Sequence, residues 1–185
     1  MKKITLLMMF LGISLLTFSQ QHMKFMGIPL DGNINSFHQK LLSKGLRPDK
    51  GANAVTPVGI RMYNGDFCGY DATIVVFYEK KSKNVYSAKA VVRQSDTSRA
   101  KSISNDLTSR LFNKYGGNVG EDDNGFATFE YHMMEKIPEL GECFFNEIGV
   151  ITLNVTNPEY DYFIHIEYYD SANGEKNEES EDSDL

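Results

Sequence analysis

ATIVVFYEKKSKNVYSAKAVVR, residues 72–93, is the stretch on which the fold turns. Its opening part, Ala72 to Glu79, is rich in β-branched and aromatic side chains, the composition of a half-buried strand. The polar turn KKSKN follows. Val85 to Arg93 then alternates, with Tyr86, Ala88, Ala90 and Val92 on one face and Ser87, Lys89, Val91 and Arg93 on the other. A turn this short cannot carry a parallel crossover, so the two strands are expected to pair antiparallel. The apolar face needs a cover and the other face meets water.

The covers lie on either side of this hairpin. Upstream, Ile34, Phe37, Leu41 and Leu42 fall on one side of a 3.6-residue period, with Asn33 placed as a cap and Gly45 and Pro48 as a stop. Before it, Met23 to Ile28 reads as a short strand and Pro29-Leu30-Asp31-Gly32 as a turn. Gly27 and Gly32 have neither the spacing nor the Lys-Ser/Thr of a phosphate loop, so this segment leads the chain into a helix. Downstream, a second helix is expected from near Ser98, with Ala100, Ile103, Leu107 and Leu111 as its buried stripe, Phe112 and Tyr115 flanking, and Gly116-Gly117 stopping it. Further strands are read at 59–64, 126–134, 149–156 and 162–169. The expected fold is α+β: two degenerate helix-plus-three-strand repeats (23–83 and 84–169) forming one mostly antiparallel sheet with both helices on one face.

The ends are read by composition. Met1-Lys2-Lys3, the apolar run Ile4 to Phe18, and the small residues Thr17 and Ser19 have the form of a signal peptide over 1–19, with cleavage before Gln20. The run is too short and too interrupted by Thr5, Ser14 and Thr17 to anchor the chain, and no later stretch is long enough to span. A single domain is expected over 20–169. The acidic stretch from 170 to 185 is expected to be a disordered tail. Without Lys2 and Lys3 the charge is -8, and the tail carries -6 of it, leaving a nearly neutral domain. Such a domain, with no Lys/Arg cluster beyond the turn at 79–83, argues against nucleic acid and anionic membranes as partners.

Motif searches find no HExxH, GxSxG, CxxC, Walker or dinucleotide-binding pattern, and no cofactor is implied. Cys68 and Cys143 are the two cysteines; in an exported chain they form a candidate disulfide or serve as two small apolar side chains. The sharpest polar group comes from the late strands. With Phe129, Tyr131, Met133, Ile151, Leu153, Val155, Ile164, Ile166 and Tyr168 inward, Glu130, His132, His165 and Glu167 share the outer face with Thr152 and Asn154. Two His and two Glu could ligate a metal or form an acid and base pair, or be an ordinary wetted face. Tyr160, Tyr162, Tyr168 and Tyr169 crowd the end of the chain and suit either recognition or sheet packing.

The signal peptide ending TFSQ, the opening KFMGIPLDG and the helix FHQKLLSKGL resemble a group of exported proteins of the Bacteroidota phylum over residues 1–46. The helix-plus-strands layout is also similar to the beta-lactamase inhibitory protein, an exported binder that uses an open sheet face. That inhibitor's Trp-rich surface and paired disulfides have no counterpart in a chain with no Trp and two Cys. The absence of a catalytic motif and a sheet face left uncovered lead to the expectation of an exported, non-catalytic protein that binds another envelope or extracellular protein or peptide through that face. The alternative is a metal-binding protein or hydrolase centred on Glu130, His132, His165 and Glu167.

Overall fold

The computed structural model describes residues 21–137 and 144–182. The expected signal peptide over 1–19 and Cys143 lie outside these residues, and with Cys143 so does its pairing with Cys68.

A small hairpin leads in, β1 (Lys24–Phe25) against β2 (Ile28–Pro29), turning through Met26 and Gly27 at φ 51° and 77°. Both turn residues are left-handed, as two-residue hairpins demand. Helix α1 (Ile34–Ser43) is capped by Asn33, whose side chain accepts from Asn35 N at 2.9 Å. Ile34, Phe37 and Leu41 are buried, whereas Leu42, expected beside them, is exposed. There follow β3 (Arg47–Pro48), the short helix α2 (Lys50–Val55), β4 (Ile60–Phe67), β5 (Tyr70–Tyr78) and β6 (Val85–Gln94). Helix α3 (Thr97–Tyr115) then crosses to β7 (Asn118–Glu121), and β8 (Ala127–Lys136), β9 (Phe145–Thr156) and β10 (Tyr162–Asp170) return.

The sheet has eight strands in the order β3-β4-β5-β6-β10-β9-β8-β7, all paired antiparallel. The fold is therefore α+β, as the alternation of residues 72–93 predicts. Register sets one apolar row across it: Tyr63, Ile74, Ala90, Ile166, Leu153 and Phe129 are successive cross-strand partners, and all are buried. On this row rest Phe37 and Leu41 from α1 and Ile103, Leu107 and Leu111 from α3, in one continuous core. Each such buried side chain contributes about 1.5–3 kcal/mol. Asp96, rather than a residue nearer Ser98, caps α3, accepting from Arg99 N at 2.7 Å.

Three expectations are corrected. Each main helix is followed by four strands rather than three, because the edge strands β3 and β7 are only two and four residues long and mainly exposed. The expected repeats are not confirmed: helix α2 separates β3 from β4 with no counterpart between β7 and β8, and residue 83 falls in the β5–β6 hairpin. Tyr86 does not join Ala88 on the core face. A bulge opposite Phe77 and Tyr78 gives the core position to Val85, and Tyr86 turns to Phe77 and Tyr169, with ring centroids 6.4 and 6.3 Å away.

The third correction concerns the acidic end. Asp170 is the last residue of β10, and Ser171–Asp182 forms helix α4 instead of a disordered tail. Its anchor is polar, which composition does not reveal. Asp170, fully buried, accepts from Met23 N at 3.0 Å and Asn173 N at 3.1 Å and lies 2.9 Å from His22 Nδ1. Asn173 Nδ2 donates to Leu30 O at 2.6 Å and to Val85 O at 3.2 Å. Among the described residues no helix is long and apolar enough to cross a membrane.

Candidate functional site

Both helices sit on one side of the sheet, so the other side carries the candidate surface. Pairing registers place Met62, Val75, Lys89, Glu167, Thr152 and Glu130 in one row across it. A parallel row runs Asn64, Thr73, Val91, His165 and Asn154. Ile60, Phe77, Ser87, Tyr169, Val150 and His132 make a third. The rows change character along their length. Over β4–β6 Ile60, Met62, Val75, Phe77 and Val91 stand among Asn64, Thr73, Ser87 and Lys89; over β8 and β9 Glu130, His132, Thr152 and Asn154 surround Val150.

Glu130, His132, His165 and Glu167 all lie on this face, but they divide among separate networks. His132 Nδ1 is 2.6 Å from Glu147 Oε2 and its Nε2 is 3.3 Å from Glu130 Oε1. The hydrogen bond that His132 donates to Glu147, with a smaller contribution from Glu130, raises the His132 pKa above its ordinary value and favours imidazolium. Glu167 instead accepts from Ser87 Oγ at 2.9 Å and pairs with Lys89 Nζ at 2.7 Å. His165 Nε2 hydrogen-bonds Thr156 Oγ1 at 2.8 Å. Burial lowers the His165 pKa, assisted by Lys89, so this ring stays neutral.

Glu130 and Glu167 share a row with Thr152 between them, about 10 Å apart at the usual strand spacing. That is too far for one small cation to bind both. Among the described residues no group of three or more His, Cys, Asp or Glu side chains gathers to hold a metal ion. Glu147 escaped the sequence reading because its turn-proximal position falls before the expected strand at 149. It is the residue that binds His132 most tightly, and Ser171 Oγ donates to its other oxygen at 3.0 Å. Serine and imidazole thus both bind the carboxylate. In a hydrolytic triad the serine must instead bond the imidazole that takes its proton.

Cys68 sits exposed in the β4–β5 turn at φ 57°. Desolvation, opposed by Arg110, raises its thiol pKa, which disfavours the nucleophilic thiolate. Of the late tyrosines, Tyr168 is buried, Tyr162 bonds Thr97 Oγ1 at 2.7 Å, Tyr169 packs on Tyr86, and Tyr160 stands free in solvent at 86 % exposure.

A second concavity lies at the β4 edge of the sheet, flanked by α1 and α2, and takes in Ile60 from the open face together with Arg61, Tyr63 and Tyr78 from the helix side. It encloses about 320 Å³. Tyr63, buried at its base, hydrogen-bonds His38 Nδ1 at 3.0 Å, and Arg61 lies over the Tyr78 ring at 5.8 Å from its centroid. Burial raises the Tyr63 pKa against the opposing pull of Arg61. Burial together with the Arg61 charge lowers that of His38. The sequence reading missed this cleft, since His38, Arg61 and Tyr63 come from separate elements and form no motif.

No protein family, curated protein or solved structure was found to match this chain. The chemistry is therefore read from the geometry alone.

Proposed function

We propose that this is an exported, non-catalytic binding protein whose open sheet face takes another envelope or extracellular protein or peptide. The observation that supports this is the apolar half of that face. Met62, Val75, Phe77, Val91 and Phe163 stand on the side of the sheet opposite both main helices, and none belongs to the core beneath them. A sheet face meant only for water would alternate to polar residues at these positions. Lys89 and Glu167 beside the stripe are paired to one another, so contact there costs little unpaired charge. The acidic and amide residues over β8 and β9 supply a polar rim to an apolar patch, the anatomy of a protein interface.

The resemblance of residues 1–46 to exported Bacteroidota proteins supports the extracytoplasmic setting. The test is site-specific photo-crosslinking in cells. A photoreactive side chain at Val75 or Val91 should give a discrete adduct that one at Ser109, on the exposed side of α3, does not. The adduct at Val75 should vanish with Val91→Glu in a chain that still folds. No adduct at either strand position, or equal labelling from Ser109, defeats the proposal.

A further inference from the structure

The cleft flanked by α1 and α2 carries a charge that the described fold does not neutralise. Its lining includes one guanidinium, Arg61, and no carboxylate. Arg61 stacks on Tyr78 and interacts with the Tyr63 hydroxyl, and among the described residues no Asp or Glu pairs with it. Arg93 and Arg110, by contrast, hold Asp161 and Asp106 at 2.5 and 2.9 Å. A guanidinium has five N–H donors, and a ring contact uses its face and a single hydroxyl only part of its edge. Half-buried in a concave site, such a group is short of acceptors.

The rest of the lining states what the acceptor should be attached to. Val58, 62 % exposed at the mouth, Pro57 and Ile60 present an apolar wall. Opposite lies the Tyr78 ring, which already receives Lys83 Nζ at 5.7 Å from its centroid. His38 is kept neutral, so it adds a hydrogen-bonding nitrogen rather than a second charge. One fixed cation complements one negative charge; a phosphate dianion would call for more donors or cations.

We propose that this cleft binds a single carboxylate borne on a small apolar or aromatic body, with Arg61 taking the carboxylate and Val58, Ile60 and Tyr78 the body. A volume of about 320 Å³ suits a small acid or one terminal residue of a peptide. The site lies at the β4 edge of the sheet and is centred on Arg61, with Val75 and Val91 outside its lining, so it is tested separately from the open-face proposal.

The test titrates the full chain with benzoate, with benzamide, and with an acetylated peptide ending in Phe as free acid or amide, following the His38 ring by NMR. Saturable shifts with benzoate or the peptide acid, and none with their amides, are expected. Tighter binding of the peptide acid would identify a chain terminus as the source; tighter binding of benzoate would identify a free acid. Arg61→Gln should weaken binding about tenfold or more, the worth of a charged hydrogen bond, while Arg61→Lys retains part of it. Because Arg61 also packs on Tyr78, Val58→Glu provides a variant that changes only the exposed mouth, and it too should weaken binding. Shifts absent with both acids, equal with the amides, or undiminished in folded Arg61→Gln or Val58→Glu overturn the proposal. Val91→Glu, outside the lining of the cleft, should leave these titrations unchanged.

Discussion

Replacing Asp170 with alanine tests whether the first strands and the last helix are truly joined. The carboxylate is 0 % exposed and is shared by His22 Nδ1, Met23 N and Asn173 N at 2.9, 3.0 and 3.1 Å. Alanine leaves two buried backbone N–H groups without an acceptor, each costing about 1–3 kcal/mol. It also takes the partner from His22. The His22 side chain, 17 % exposed, is partly rescued by water. We therefore expect a loss of about 3 kcal/mol, or roughly 6–12 °C in Tm for a chain of this size. Urea unfolding followed by circular dichroism gives the measurement: the midpoint should fall while the slope stays the same. Asp170→Asn keeps an oxygen for Asn173 but sets an amide against Met23 N–H, so it should also destabilise. If Asp170→Ala unfolds within about 0.5 kcal/mol of the parent, the range of an ordinary surface substitution, the reasoning about this buried tie is wrong.

Other outcomes follow from the same geometry. Gly149→Ala should destabilise by about 1–3 kcal/mol, because its Cβ would strike the Tyr169 carbonyl and Met23 Cγ; thermal unfolding will show it. His132 should titrate above an ordinary histidine by NMR, and Glu147→Gln should bring it back down. Since its folded pKa is raised, the stability it contributes is fully present below the unfolded value of about 6.5 and is lost as pH rises through the folded value. The stability difference between parent and His132→Gln should therefore be largest in mild acid and shrink toward alkaline pH. Mass spectrometry of the exported fraction should find a chain beginning at Gln20; a chain retaining Met1 would count against the signal peptide.

How far the sequence was legible follows from how each element is stabilised. β5, β6, β8, β9 and β10 are held by side-chain alternation, and α3 by a stripe at helical spacing, so their periods are printed in the residues. β7, with Asn, Gly and Glu on an exposed edge, has no alternating face to read. Helix α2 depends on its Asp49 cap and on Asn53, which exchanges hydrogen bonds with the Met62 backbone at 2.7 and 2.8 Å. It buries no residue of its own. Helix α4 has the composition of a solvated tail, and its fixed start comes from contacts 143 to 148 residues away in sequence. The outward placement of His132 and His165 was readable from period two, but their partners depend on register and on the bulge between Met133 and Met134. The cleft at Arg61 needed three dimensions altogether.

The position of β10 carries a consequence for how this protein is made. The last strand of this sheet, β10, is the one that slides between β6 and β9, so β6 and β9 each keep an inner edge unpaired until residue 170 has been synthesised. A nascent molecule cannot lock itself shut early.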